Sequence, residues 1–116
     1  MLKVEAIIRP ERIGQVIPAL DEAGCTGYYY TNITGQGRQG GVEVSVGRGG
    51  QTIRAAVPKT IITTVIPDGM LEKVIDAILE AARSPDGGNI GDGKIFVTSV
   101  SEVVRVSSGE RGEIAI

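Results

Sequence analysis

The chain has no histidine, no tryptophan and a single cysteine, Cys25. Without histidine, no Ser-His or Cys-His nucleophile pair is available and no imidazole can ligate zinc. One cysteine makes neither an intrachain disulfide nor a thiolate cluster for metal. Aromatics are 3% of the chain, confined to Tyr28, Tyr29, Tyr30 and Phe96. Lys and Arg number 12 against 14 Asp and Glu, a net charge of -2. That balance excludes a generic nucleic-acid coat. No apolar run approaches the roughly 18 residues of a spanning helix, and the N-terminus lacks the layout of a secretory signal. The expectation is a soluble, cytoplasmic domain with no nucleic-acid partner and no direct membrane insertion.

What the chain does have is glycine. It holds 17 in 116 residues, roughly twice the ordinary usage of about 7%. One domain fits this length, and 41% hydrophobic residues suffice for a core. The glycines are grouped. Gly35, Gly37, Gly40, Gly41, Gly47, Gly49 and Gly50 form one group, and Gly87, Gly88, Gly91 and Gly93 a second. Gly109 and Gly112 lie near the end.

Between the groups the pattern is regular. Residues 2–8, 28–34, 57–66 and 95–100 are β-branched and apolar enough for strands, and 103–106 adds a short fifth. Pro10 suits a first helical turn. Ile13, Val16, Ile17, Leu20 and Ala23 then recur at helical spacing, with Gly24 as the stop. Pro18 is expected to bend that helix. Asp68 is a candidate N-cap for a second helix, whose apolar face is Met70, Leu71, Val74, Ile75, Ile78, Leu79 and Ala82. The order βαββαβ predicts an α+β ferredoxin-like fold: an antiparallel sheet with two helices on one face. The uncovered face is expected to carry Ile7, Thr60, Ile62 and Thr64, or their alternates, and to invite oligomerisation. The connection 37–56 is far longer than an ordinary hairpin loop of about 2–5 residues. It carries Arg38, Arg48 and Arg54 against Glu43. Its glycine content predicts disorder in the absence of a partner.

Two glycine groups suggest chemistry. Ile90-Gly91-Asp92-Gly93-Lys94 sets a tight turn and a cation before a strand. Backbone N–H groups freed by glycine can cradle a phosphate, yet the same residues also suit an ordinary turn with a solvated lysine. The spacing is not that of a Walker A loop. Gly35-Gln36-Gly37-Arg38-Gln39 is a G-x-G with a cation and an amide, by itself equally compatible with a flexible loop. An RNA binder of this topology would need aromatics on its central strands, and 60–66 has none. An acylphosphatase-like enzyme has no use for the long basic loop.

Taken together the residues resemble the PII family of nitrogen-regulatory signal proteins, nearly end to end. Glu5-Ala6-Ile7-Ile8-Arg9-Pro10 looks like its first strand and helix start. Gly35-x-Gly37-Arg38-Gln39 looks like the base of its T-loop and Pro58-Lys59 like the return from it. Gly91-Asp92-Gly93-Lys94-Ile95-Phe96-Val97 looks like its B-loop and following strand, the most specific match. Ser108-Gly109-Glu110 and Ala115-Ile116 resemble its C-terminal region. The resemblance implies a homotrimer of one PII-like domain, 1–116, with T-loop 37–56, B-loop 84–94 and C-terminal region 105–116. It implies ATP and ADP competing in clefts between subunits. With Mg2+ and ATP, 2-oxoglutarate joins at the T-loop base. The loop then regulates an ammonium transporter, metabolic enzyme or transcription factor, with recruitment to the inner face of the membrane when the target is a transporter. It implies a regulator rather than an enzyme, with at most a weak ATPase side activity from Lys94, Arg38 and Mg2+.

Residue by residue, Gly35, Gly37, Arg38 and Gln39 match the T-loop base, with Gln39 toward Mg2+ held by ATP. Lys59 matches the lysine that pairs with 2-oxoglutarate, and Arg9 a basic position near that effector. Ile90, Gly91, Asp92, Gly93 and Lys94 match the B-loop, with Lys94 on phosphate. Arg105 matches an arginine reaching the phosphates from a neighbouring subunit. Ile7, Tyr28, Tyr29 and Val65 fall where the family lines the nucleotide cleft. Arg48, near the middle of the loop, is the candidate for insertion into a transporter.

The departures are as informative. No tyrosine lies in 37–56, so uridylylation there has no acceptor. Gln36, Gly40 and Thr63 replace an aromatic, a lysine and a glutamate of the family pattern around the effector. The approach 84–89 is longer than usual and places Asp86 beside the expected anion. Ser107 stands where the family has a second phosphate-facing arginine. These losses support an alternative reading, a divergent PII-like sensor of ADP, AMP or a small anion that controls a partner outside nitrogen metabolism. Losing the arginine removes a charge-assisted contact worth about 1.5–3 kcal/mol. ATP is therefore expected to bind no more tightly than ADP. Isothermal titration showing tight ATP and much weaker ADP binding contradicts this.

Overall fold

The computed structural model describes residues 1–35, 42–46, 51–55 and 57–116. Its elements in chain order are β1 (Leu2–Ile8), α1 (Ile13–Glu22), β2 (Tyr28–Gly35), β3 (Val42–Val46), β4 (Gln51–Ala55), β5 (Val57–Ile66), α2 (Leu71–Ala82) and β6 (Gly93–Ser99). Four of the strands form an antiparallel sheet in the order β2-β5-β1-β6. This is the expected ferredoxin-like arrangement. β6 starts two residues before the position that periodicity gave it, because Gly93 already pairs with Ile8.

Local chemistry sets the boundaries. Arg9 is extended (φ -63, ψ 137), as the residue before a proline prefers, and Pro10 opens a 3-10 turn leading into α1. α1 runs through Pro18 to Glu22. It closes on Gly24 at φ 95, with Cys25 N–H bonded to the Leu20 carbonyl (3.0 Å) and Gly24 N–H to that of Asp21 (3.1 Å). That is the Schellman stop a glycine permits.

Asp68 does not cap α2. It lies in a 3-10 turn before the helix, and its carboxylate accepts from the Met1 ammonium at 2.7 Å. The register that pairs Leu2 with Ile66 brings the two within reach.

The core lies between the sheet and the helices. Val4, Ala6 and Ile8 of β1 and Ile62 and Ile66 of β5 meet Val16 and Leu20 of α1 and Val74, Ile78 and Ala82 of α2, all buried. Thr60 and Thr64 also point into this layer. Their hydroxyls donate to Asn32 Oδ1 (3.0 Å) and the Gly27 carbonyl (2.6 Å), so neither is left unsatisfied. Strand alternation then assigns the uncovered face. It carries Ile7 as expected, but Lys59, Ile61, Thr63 and Val65 of β5 rather than Thr60, Ile62 and Thr64. Tyr29 and Phe96 stand on it, 67% and 49% exposed.

Two further expectations are corrected. Residues 103–106 form no strand. One bridge joins Val104 to Arg111, and the chain reverses through Gly109 (φ 75), whose N–H bonds to the Arg105 carbonyl at 2.7 Å. The long connection is not without regular structure. β3 and β4 pair antiparallel from Val42↔Ala55 to Val46↔Gln51. Alternating Val42, Val44 and Val46, with Val44 opposite Ile53, is a strand signal that the surrounding glycines obscured.

Gly93 is the position where the fold demands glycine. Its φ is 120, and a Cβ there would lie 1.7 Å from the Ile7 carbonyl oxygen. Gly93→Ala should destabilise the protein by about 3 kcal/mol or more. Gly14→Ala, on a helix with open space around it, should stabilise by about 0.5–1 kcal/mol. Urea melts of the two variants check both signs.

Candidate functional site

The site gathers at the end of the sheet where β1 stops and β6 starts. The turn before β6 is built on left-handed residues: Asp86 (φ 65), Gly87 (89), Gly88 (96), Gly91 (100) and Gly93 (120). Glycine takes such backbone freely among many alternatives, so one particular turn shape needs a holder. Here the holder is the Asp92 carboxylate. It accepts the Arg9 Nε–H at 3.0 Å, the Ser84 amide at 2.9 Å, the Asn89 amide at 2.9 Å and the Ser84 hydroxyl. Arg9 also donates from Nη2 to the Ile90 carbonyl at 3.1 Å, and Lys59 donates to the Gly91 carbonyl.

These contacts set the charge states. Burial pushes the Asp92 carboxyl up. The Ser84 hydroxyl and amide, the Asn89 amide and Arg9 outweigh it and hold the group well below the usual carboxylate range. Burial lowers Lys59, and the neighbouring Arg9 charge lowers it further, while Glu11 and Asp92 oppose. The end of the sheet thus presents two fixed cations, Arg9 and Lys59, with one partly buried anion tying the turn to them.

Lys94 is the next cation. It pairs with Ile7 in register, and both side chains lie on the uncovered face. One row further along that face come Tyr29, Thr63, Glu5 and Phe96, then Val65, Lys3 and Thr98. Rows are about 7 Å apart. Within one chain, therefore, Arg9, Lys59, Ile90, Gly91, Asp92 and Gly93 come together, with Ile7 and Lys94 adjacent. Tyr29 and Val65 lie one and two rows away.

Tyr28 faces the helix layer, on the opposite side of the sheet, and its hydroxyl bonds to Asp21, which raises its pKa. Gly35 ends β2 beside Val57. Arg105 is held in the C-terminal segment, with Nη1 to Glu110 (3.2 Å) and Nη2 to the Ile114 carbonyl (3.1 Å). Gly37, Arg38, Gln39 and Arg48 lie outside the described residues.

An open groove of about 770 Å3 runs on the other side of the turn, between α2 (Ile75, Ile78, Leu79) and β6 (Ile95, Val97), sharing Asp92, Gly93 and Lys94 at its end. It is apolar and lies on the helix side of the sheet, away from Ile7 and Lys59. The charged end of the uncovered face is the better anion site on chemistry. Among the described residues no His/Cys/Asp/Glu cluster suits a metal. Sequence reasoning placed Ser84 at the start of the segment 84–94 but missed its role as a donor to Asp92. Its only trace is a hydroxyl at the end of an amphipathic helix.

The Asp92 anchor has a pH signature. Because its folded pKa is depressed, its contribution to stability is full above about pH 4, the ordinary aspartate value, and shrinks as pH falls below it. Asp92→Asn should cost about 2 kcal/mol at pH 7 and progressively less toward pH 3. Urea melts across that range check it, and a difference that grows on acidification contradicts it.

Residues 1–110 match the family model described as "Nitrogen regulatory protein P-II". Nitrogen regulatory protein P-II of Azospirillum brasilense is 45% identical over 116 residues, the whole of both chains. P-II 1 of Escherichia coli K12 is 40% identical over the same full span. Among solved structures, that of Arabidopsis thaliana PII bound to citrate superposes with a TM-score of 0.79 at 41% identity, covering 99% of this chain and 91% of that one. Fold, glycine-turn motif and full-length relatives agree: the chain belongs to the nitrogen regulatory protein P-II family.

Proposed function

We propose that the protein is a nitrogen-regulatory sensor that binds ATP or ADP at the Asp92-anchored turn and signals through the loop 37–56. The carrying observation is the convergence of a glycine turn, Lys94 and the Arg9–Lys59 pair at one end of a sheet face. Backbone N–H groups of a glycine turn and a flanking lysine suit phosphates. Arg9 and Lys59 suit a carboxylate such as 2-oxoglutarate, entering with Mg2+ carried by ATP beside Gln39. Citrate, the ligand named for the Arabidopsis relative, is a carboxylate of the same kind.

The uncovered face, with Ile7, Ile61, Tyr29, Val65 and Phe96 upon it, supports a homotrimer in which Arg105 of one subunit reaches the phosphates held by another. Such packing would bring Tyr29 and Val65 to a cleft that a single chain leaves open. The target is an ammonium transporter or a metabolic enzyme, with Arg48 as the side chain that docks. Among the described residues no helix is long and apolar enough to cross a membrane, which fits a cytoplasmic protein recruited to its target.

Ser107 favours a variant of this reading in which ADP or AMP is the preferred nucleotide. It is exposed beside the Gly109 reversal, a hydroxyl where an arginine would meet the γ-phosphate.

A titration panel with ATP, ADP, AMP and Mg2+-ATP plus 2-oxoglutarate tests the proposal. Saturable nucleotide binding is expected, weakened by about tenfold or more in Lys94→Ala, with 2-oxoglutarate binding only beside Mg2+-ATP. No adenine-nucleotide binding at millimolar concentration overturns it.

A further inference from the structure

Two residues of the turn's support have no assigned role toward the phosphates in the nucleotide reading. Ser84 opens the segment 84–94 without a role of its own, and the resemblance directs Arg9 toward the carboxylate effector. We propose that Ser84 and Arg9 are positioning residues for the phosphate subsite, acting through Asp92. The proposal rests on the adenine-nucleotide reading and adds to it what sets the affinity for phosphate.

A turn with five left-handed residues between 86 and 93 does not by itself keep its N–H groups converged on an anion, because glycine is free to adopt many backbone conformations. Asp92 removes that freedom by linking segments distant in sequence. Asn89 N–H fixes the turn on itself (2.9 Å), and the Ser84 amide (2.9 Å) and hydroxyl fix it to the end of α2. Arg9 Nε–H (3.0 Å), 83 residues away in the chain, fixes it to the end of β1.

Arg9 does a second thing. Its Nη2 takes the Ile90 carbonyl at 3.1 Å. In a trans peptide the N–H points opposite the C=O, so this contact turns the Gly91 N–H away from the guanidinium. One planar fork therefore sets both the carboxylate and a peptide plane of the turn, which the point charge of a lysine would not reproduce. Ser84 completes the carboxylate's donors. Without its hydroxyl, Asp92 has one hydrogen-bond donor fewer beside an incoming phosphate, and the segment after α2 no longer holds the turn through a side chain.

Ser84→Ala, Ser84→Thr and Arg9→Lys, made in the full chain, test this with ADP and adenosine as the two titrants. Ser84→Ala and Arg9→Lys should each weaken ADP by about tenfold and leave adenosine unchanged, and Ser84→Thr should restore ADP. Amide hydrogen exchange at 89–93 in the unliganded protein should accelerate in the first two variants and not in the third. ADP affinity within about twofold of wild type in both variants overturns the proposal, as does an equal loss for ADP and adenosine, the mark of general unfolding. A wild-type chain that binds neither titrant refutes the nucleotide reading instead. Exchange at 89–93 then decides the positioning role alone, and unchanged exchange overturns it.

Discussion

The carboxylate of Asp92 is the point on which the site depends. Donors from the end of β1, the end of α2 and the turn itself meet on its two oxygens. A partly buried carboxylate with so many donors stays ionised, and an ionised one holds its donors more strongly than a neutral group would. The anchor therefore supplies geometry and charge together. It also fixes where β6 begins, and β6 begins with a glycine because the Ile7 carbonyl leaves no room for a Cβ.

From that anchor the sheet distributes function by strand alternation. Even-numbered residues of β1 and β5 enter the helix layer and close the core, and odd-numbered ones line the uncovered face. Ile7, Lys94, Tyr29 and Val65 share that face in successive rows, while Tyr28 turns inward. In the proposed reading, a nucleotide cleft on this face would draw on one end of the sheet for phosphate and on the far rows, supplied by a second subunit, for the remainder.

Much of the fold was legible because its signals are local. The stripe Val16–Leu20–Ala23 and the stop at Gly24 are read from helical periodicity and glycine chemistry, and both stand. The tight glycine turn before a strand at Gly91–Lys94 was legible for the same reason. What failed were assignments with equally local signals but non-local solutions. Asp68 has the composition of an N-cap, yet the pairing of Leu2 with Ile66 offers it the chain's first ammonium. Residues 103–106 are β-branched, yet the Gly109 reversal leaves one bridge where a strand was expected. The β3–β4 ribbon was hidden because glycine-rich flanks made its alternation look incidental.

The sequence by itself determined the βαββαβ order, the helix faces, the absence of histidine, and the family. Each of these is encoded in residue identity or in spacings of a few positions. Only the tertiary structure decided which face of β5 is open, and that Arg9 and Ser84 meet at Asp92. Face assignment needs the register between strands, since a shift of one residue inverts it. The anchor joins positions 9, 84 and 92, whose proximity arises only when β1 pairs with β6 and α2 packs over them, and no linear spacing records that.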